Sequence, residues 1–157
     1  MAEVRAESEG IVHAAPAVVY GYLADMRTHH PKFLPPAFSD FTVVEGGVGA
    51  GTVTTFTVTA GGRSRPYKMR LSEPEPGRVL QESDENSSLV TTFTVDGVAA
   101  ADASNGAEQS RVRIRTTWQG AGGIGGFFER TFAPRAMRSI YDDELRRLDA
   151  YAREQAA

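Results

Sequence analysis

Apolar residues near the C-terminus recur at intervals of three and four positions, which is the spacing of one face of an α-helix. They are Met137, Ile140, Tyr141, Leu145, Leu148 and Ala152. The opposite face is charged, and acids precede arginines by four residues, as Asp142 precedes Arg146, in the order that favours an exposed helix face. The pattern predicts one long amphipathic helix over residues 124–154. We expect a kink at Pro134, because proline has no N–H to donate within the helix.

Between residues 4 and 119 apolar and polar positions mostly alternate, which indicates β-strands. The first strand, residues 4–13, presents one face of small residues. They are Val4, Ala6, Ser8, Gly10 and Val12. A short helix is predicted from Pro16 to about Asp25, and a second from Thr28 to Leu34, where two consecutive prolines end it.

Six further strands follow, in runs rich in Val, Thr and aromatic residues. They cover Phe38–Val44, Thr52–Thr59, Arg65–Glu73, Arg78–Ser83, Leu89–Val95 and Arg111–Gln119. Connections this short require antiparallel pairing, because parallel pairing needs a longer crossover. Seven antiparallel strands, two short helices between the first two strands, and one long C-terminal helix define an α+β architecture, a curved sheet wrapped around that helix.

Composition narrows the class of protein. The chain of 157 residues is 41% hydrophobic, enough for a single domain over 1–157 with one sizeable core. A net charge of −3 without a basic stripe argues against a nucleic-acid partner. The absence of cysteine excludes disulfides and thiolate chemistry. No apolar run reaches the length of a membrane span, so we expect a cytoplasmic protein without stable membrane insertion, as a monomer or homodimer.

The segment Gly120–Gly125 reads G-x-G-x-x-G after a predicted strand and before a helix, as a dinucleotide fingerprint would. A dinucleotide fold also needs a second parallel strand after that helix, and here the chain ends within the helix. We therefore interpret the segment as a glycine hinge and expect no cofactor.

The three histidines do not form a metal-binding pattern. His29 and His30 are adjacent and have no third ligand nearby, so we expect no metal and place them at a polar rim of the interior. His13 is expected on the outer face of its strand. Ser8 faces inward but lies in no nucleophile elbow, so it is interpreted as a small residue that leaves room inside rather than as a nucleophile.

Several segments, in their order and spacing, resemble the START-like or SRPBCC superfamily, the birch-pollen-allergen fold, and its polyketide cyclase/dehydrase branch. They are the strand-to-helix junction 11–25, the glycine-rich segment 45–51, residues 75–80, the strand ending at Trp118, and the Gly-rich turn into the helix that carries residues 145–148. The resemblance implies a helix-grip fold with an internal cavity between sheet and helix. The family often has Trp between residues 25 and 35, where this chain has His29 and His30.

The projected inner face combines polar groups with apolar neighbours, as small-molecule sites do, although a packed core would have the same composition. Phe56 and Val58 place Thr54 on this inner face. The predicted ligand-binding residues are Ser8, Phe33, Phe56, Tyr67, Met69, Thr91, Phe93, Thr116, Trp118 and Phe128.

Three functions are consistent with these patterns. The first is carriage of a hydrophobic lipid, isoprenoid or polyketide-like molecule that enters past residues 26–36. The second, implied by the resemblance, is a cyclase, aromatase or dehydratase, for which Tyr67, His29 and His30 are the candidate acids or bases. The third is a protein-interaction module without a ligand, which predicts an exposed apolar patch.

Overall fold

Among the residues that the structure describes, seven strands and two α-helices follow one another in the predicted order. The computed structural model describes residues 3–98, 108–120 and 123–157, with side chains from residue 133 onward in the last range. The strands are β1 Glu3–Val12, β2 Phe38–Glu45, β3 Val53–Ala60, β4 Arg63–Glu75, β5 Val79–Asp84, β6 Val90–Val98 and β7 Gln109–Gln119. The helices are α1 Pro16–Ala24, a short 3₁₀ helix His30–Phe33, and α2 Gly123–Ala156.

The strands form one antiparallel sheet in the order β1-β7-β6-β5-β4-β3-β2. Consecutive strands pair as hairpins except for β1, which pairs with β7 and places Val4 opposite Trp118. The predicted α+β helix-grip architecture is confirmed. Helix α2 runs through Pro134 without ending there, so the proline does not divide it.

The second predicted helix is only one 3₁₀ turn. Pro31 occupies its first turn and Pro35 follows it closely, so an α-helix has no room to establish its hydrogen bonds. The turn nevertheless buries His30 and Phe33 beneath the end of the sheet.

Strand phases follow the predicted alternation. In β7, Val112, Ile114 and Thr116 face the interior and are almost completely buried. On the opposite face Arg113 and Arg115 form ion pairs with Glu7 of β1. In β3 the inward phase is that of Thr54, Phe56 and Val58. One face of the sheet therefore forms the core and the other faces solvent.

Helix α2 packs along β1. Gly10 lies against the helix, and a Cβ built on it would make ordinary contact with Leu145 Cβ at 3.6 Å. Ser8 Oγ donates to Asp142 on the helix. His13 is not on an outer strand face as expected: just beyond β1, it contacts Asp149 through its backbone N–H and its ring, both at 2.9 Å. Strand β1 thus holds one long side of α2 against the sheet.

The glycine-rich segment 45–51 is fixed against the end of α1. The backbone N–H of Met26 donates to Gly47 O at 2.8 Å, and that of Gly49 donates to Ala24 O at 3.0 Å. Gly49 has a φ of +70°, a left-handed conformation that favours glycine. This segment positions the chain that leads from α1 into the 3₁₀ turn.

The G-x-G-x-x-G segment leads into α2, which begins at Gly123; residues 121–122 lie outside the described residues. No helix in the described ranges has the length and apolar character needed to cross a bilayer.

Candidate functional site

A mostly apolar cleft lies between the sheet and α2. Its volume is about 480 Å³ including the open mouth, but only about 30 Å³ admits the centre of a water molecule. The apolar lining residues are Leu34, Phe38, Phe41, Phe56, Val58, Met69, Leu89, Phe93 and Met137. The polar lining residues are His30, Tyr67, Glu82, Thr91, Tyr141 and Glu144. The cleft is narrow, with room for two or three water molecules at about 10–15 Å³ each.

Aromatic rings form the wall on the side of β2, β3 and β4. Phe56 is central: its ring centroid lies 5.4 Å from Phe38, 6.2 Å from Phe41 and 5.8 Å from Tyr67. Phe41 and Phe56 are stacked with an interplanar angle of 16°. Such a wall offers flat apolar surface to a ligand.

The cleft contains a buried acid–base cluster, which comprises His30, Glu82 and Glu144. His30 comes from the 3₁₀ turn, Glu82 from β5 and Glu144 from α2. His30 Nε2 lies 3.3 Å from Glu144 Oε1, and its Nδ1 lies 2.7 Å from the carbonyl oxygen of Leu23. All three side chains are more than nine-tenths buried, where an unpaired charge would be strongly disfavoured.

Both ring nitrogens of His30 face acceptors, an arrangement that the imidazolium satisfies by donating twice. Burial alone would lower the pKa of His30, but the hydrogen bond and charge of Glu144, followed by the charge of Glu82, raise it overall. His30 and Glu144 therefore form a buried ion pair. This pair carries no net charge.

Burial raises the pKa of Glu82 to about 7, with the charge of His30 lowering it and that of Glu144 raising it. Unlike Glu144, Glu82 has no hydrogen-bond partner for its carboxyl group among the described residues. Burial thus favours the protonated form of this carboxyl group, which is free to interact with a bound molecule.

A chain of hydroxyl groups lies next to this cluster. Thr91 and Thr116 are joined at 2.7 Å between their Oγ1 atoms, and Thr116 is also hydrogen-bonded to the Tyr141 hydroxyl. Burial raises the pKa of Tyr141, the two threonines lower it, and the charges of Glu144 and Glu82 raise it further. Tyr141 therefore remains a neutral hydroxyl at the cleft.

Five of the predicted ligand-binding residues line this cleft. They are Phe56, Tyr67, Met69, Thr91 and Phe93. They come from β3, β4 and β6, whose inward phases the alternation predicted. Burial raises the pKa of Tyr67, the charge of Arg65 lowers it, and that of Asp84 raises it.

Other predicted ligand-binding residues lie elsewhere. Ser8 is bonded to Asp142 on the partly exposed side of α2, and Thr116 is buried behind Thr91. Phe33 packs against His30, with ring centroids 4.8 Å apart. Trp118 is on the inner face near the sheet end and is not among the cleft-lining residues, and the side chain of Phe128 lies outside the described residues.

The two adjacent histidines lie in different surroundings. His29 lies outside the cleft lining, with its Nδ1 2.7 Å from the Tyr151 hydroxyl. His30, expected at a rim, is instead 3% exposed and part of the buried cluster. The reason is the 3₁₀ turn, which begins at His30 and directs that ring to the Leu23 carbonyl.

Sequence reasoning missed Glu82 and Glu144, although each shares a face with buried apolar residues. Leu80 is buried, and Glu82 follows it by two residues on the same face of β5. Glu144 lies between Tyr141 and Leu148 at helical spacing, within the apolar stripe. Among the described residues, no group of three or more acidic or histidine side chains is arranged to hold a metal ion.

Comparison with known proteins places the chain in a family. Residues 1–153 match the family described as polyketide cyclase/dehydrase and lipid transport. The chain is 38% identical to the KanY protein, whose solution structure has a TM-score of 0.82 and is matched over 98% of this chain and 99% of that one. No functionally curated protein is significantly similar to it.

More distant structures share the fold alone. The Zhui aromatase/cyclase from Streptomyces sp. R1128 is 15% identical, with a TM-score of 0.72 over 99% of this chain and 97% of that one. The major latex-like protein 151 from Panax ginseng is 12% identical, with a TM-score of 0.70 over 96% and 97%. With the family match over nearly its whole length, this chain belongs to the polyketide cyclase/dehydrase and lipid transport family of the START-like (SRPBCC) superfamily.

Proposed function

We propose that this protein binds a largely apolar small molecule, such as a lipid, isoprenoid or polyketide-like compound, in the cleft between the sheet and α2. The observation that carries the proposal is the cleft itself, in which an aromatic wall and aliphatic side chains surround a few convergent polar groups. That combination is typical of small-molecule sites. The family description, which includes lipid transport, supports the same conclusion.

The narrowness of the cleft sets a condition on binding. A molecule much larger than water requires side chains at the mouth to move. Met137 and Phe41 are suited to this, because both are only half-buried and the unbranched Met side chain adapts to irregular shapes. We therefore expect the cleft to widen when a ligand enters, with rearranged side chains rather than a changed sheet.

Native mass spectrometry of the purified protein, before and after organic extraction, tests this proposal. A retained hydrophobic compound would identify the chemical class of ligand. Binding of that compound, or of a naphthalene probe, is then compared between Met137→Trp and Arg138→Trp. The first variant fills the mouth of the cleft, while the second places the same side chain on the neighbouring exposed position.

Met137→Trp should weaken binding at least tenfold, and Arg138→Trp should leave it within about twofold, because only the first indole occupies ligand volume. Equal affinities in both variants, or the absence of binding by any apolar probe, would contradict the cleft as the ligand site.

The buried acid–base cluster favours a second candidate, a cyclase, aromatase or dehydratase that acts on a molecule in the same cleft. Such reactions move a proton next to a carbonyl group, and acids with pKa values near the working pH do so most efficiently. Glu82 has that property. Tyr67, which also lines the cleft, is the candidate donor to a developing enolate.

Turnover of a substrate identified by mass spectrometry distinguishes carriage from catalysis. If the protein is an enzyme of this type, Glu82→Gln should retain binding and lose most turnover. Tyr67→Phe should lower kcat at nearly constant KM. If neither the wild-type protein nor any variant converts the extracted compound, carriage remains the function.

A further inference from the structure

We propose that Glu82 presents a neutral carboxylic acid to the cleft and donates a hydrogen bond to an uncharged acceptor oxygen of the ligand, so that the site prefers apolar carbonyl compounds to apolar carboxylates. This inference rests on the proposed function, since it concerns the polar end of a molecule bound in the same cleft. It assigns a ligand class and a recognition residue.

The hydrogen-bonding inventory of the cluster points to Glu82. His30 uses one ring nitrogen on the Leu23 carbonyl and the other on Glu144. Glu82 is 8% exposed and lines the cleft, and its carboxyl has no hydrogen-bond partner within the described residues. A buried polar group in this position gains a hydrogen bond when a ligand supplies the partner.

The surroundings of Glu82 favour its neutral form. From the 3₁₀ turn it faces His30, and from α2 it faces Glu144 and the neutral hydroxyl of Tyr141. Its neighbours in the sheet, Leu71 and Thr91, carry no charge. Because His30 and Glu144 already neutralise each other, ionised Glu82 would leave the apolar interior with one uncompensated negative charge.

A neutral acid selects among ligand chemistries. Its proton needs an acceptor, and a carbonyl oxygen provides one without adding a donor that would itself need a partner. A carboxylate would bring a second negative charge next to Glu144 in an apolar environment, which is unfavourable. Ligands with an apolar body and a ketone or aldehyde group therefore fit the cleft best.

Three probes of nearly equal shape test this preference: 2-acetylnaphthalene, 2-isopropylnaphthalene and 2-naphthoate. Their affinities are measured by calorimetry at pH 6 and pH 8.5. At pH 6 the ketone should bind about tenfold more tightly than the hydrocarbon, the effect of one buried hydrogen bond. The naphthoate should bind more weakly than either. At pH 8.5 the advantage of the ketone should disappear, since ionised Glu82 no longer donates.

Variants isolate the residue responsible. Glu82→Gln keeps an N–H donor and cannot ionise, so it should retain the ketone preference at both pH values. Glu82→Met has no donor and should show no preference at either. Glu85→Gln, the same change at the exposed end of the adjacent turn, should behave like wild type. If Glu82→Met does not fold, the pH dependence of the wild-type protein with the three probes decides.

The outcomes separate this inference from the function on which it rests. Equal binding of ketone and hydrocarbon at pH 6, or equal binding of the naphthoate, would overturn the role of Glu82 and leave apolar binding in the cleft intact. Failure of all three probes to bind, together with no effect of Met137→Trp on the extracted compound, would overturn both.

Discussion

A histidine and two glutamates are buried inside the apolar interior of this protein. Transfer of an isolated charge into such surroundings is costly, and pairing restores only part of that cost. Here His30 and Glu144 pair with each other, while burial raises the pKa of Glu82 and favours its protonated form. The cluster is therefore better explained by a role in the cleft than by a contribution to stability.

Stability should fall as the pH rises from 5 to 8. The pKa of Glu82 is raised from 4.5 to about 7 in the folded state, so its contribution is complete below pH 4.5 and is lost as the pH rises through 7. His30, whose pKa is also raised, contributes with the same sign. For Glu82 the loss is at most about 3 kcal/mol. Urea denaturation at four pH values measures it.

Glu82→Gln should flatten this pH profile, because the side chain no longer titrates. Glu85→Gln should keep the wild-type slope. A free energy of unfolding that increases from pH 5 to 8 in the wild-type protein would show that Glu82 is ionised in the folded state.

Two glycines should respond in opposite directions to alanine. At Gly10 a Cβ would make ordinary contact with Leu145 at 3.6 Å, so Gly10→Ala should raise the free energy of unfolding by up to about 1 kcal/mol by restricting the unfolded chain. At Gly49, with a φ of +70°, a Cβ would lie 2.5 Å from Glu73 Oε1. Gly49→Ala should destabilise by about 1–3 kcal/mol.

Chemical denaturation of both variants, side by side with wild type, checks this pair. If Gly10→Ala were destabilised as much as Gly49→Ala, the packing of α2 against β1 would be tighter than the structure shows.

At the scale of elements, the periodicity of apolar residues predicted which face of each strand and helix is buried. The inward phases of β3, β4, β6 and β7 follow directly from alternation, and the stripe of α2 follows from spacings of three and four. The same rules place Glu82 and Glu144 inward, although acidic side chains usually face solvent. What the sequence could not show is that the 3₁₀ turn brings a histidine between them, since that depends on contacts far apart in the chain.

Leu148 should be one of the main attachments of α2 to the sheet, because it is 1% exposed on the apolar stripe. Leu148→Ala should destabilise the protein by about 2–5 kcal/mol through lost burial and a residual cavity. Arg147→Ala, on the exposed face of the same turn, should change stability by less than about 1 kcal/mol despite its ion pair with Asp143. Thermal and urea denaturation measure both, and similar losses in the two variants would contradict this orientation of the helix.

In the whole molecule, the sheet is completed by pairing of its first strand with its last. β1 pairs with β7, joining Glu3 to Gln119, and α2 then packs along β1. The antiparallel hairpins were predictable from short connections. The width of the cleft was not, because it depends on how closely side chains from β2, β3, β4 and α2 approach one another.

The pairing of β1 with β7 predicts slow folding. Contacts between residues far apart in sequence require costly loop closure before they contribute stability, and folding rates decrease accordingly. Refolding from urea, followed by the fluorescence of Trp118 in stopped flow, should occupy milliseconds to seconds. Completion within about 100 microseconds would indicate that the β1–β7 pair forms after most of the structure.

The attachment of α2 along β1 also has a mechanical consequence. Its contacts through Gly10, Ser8 and His13 lie along β1, whereas the aromatic wall of the cleft comes from β2, β3 and β4. On its other side α2 is held through Glu144, which contacts His30, and through Tyr141, which is hydrogen-bonded to Thr116. We expect a small rotation of α2 about its contacts with β1 to widen the cleft while every strand keeps its backbone hydrogen bonds. Uptake and release of a ligand then depend on how easily α2 rotates against β1. A disulfide engineered between Ser8→Cys and Asp142→Cys should therefore slow ligand exchange without changing the lining of the cleft.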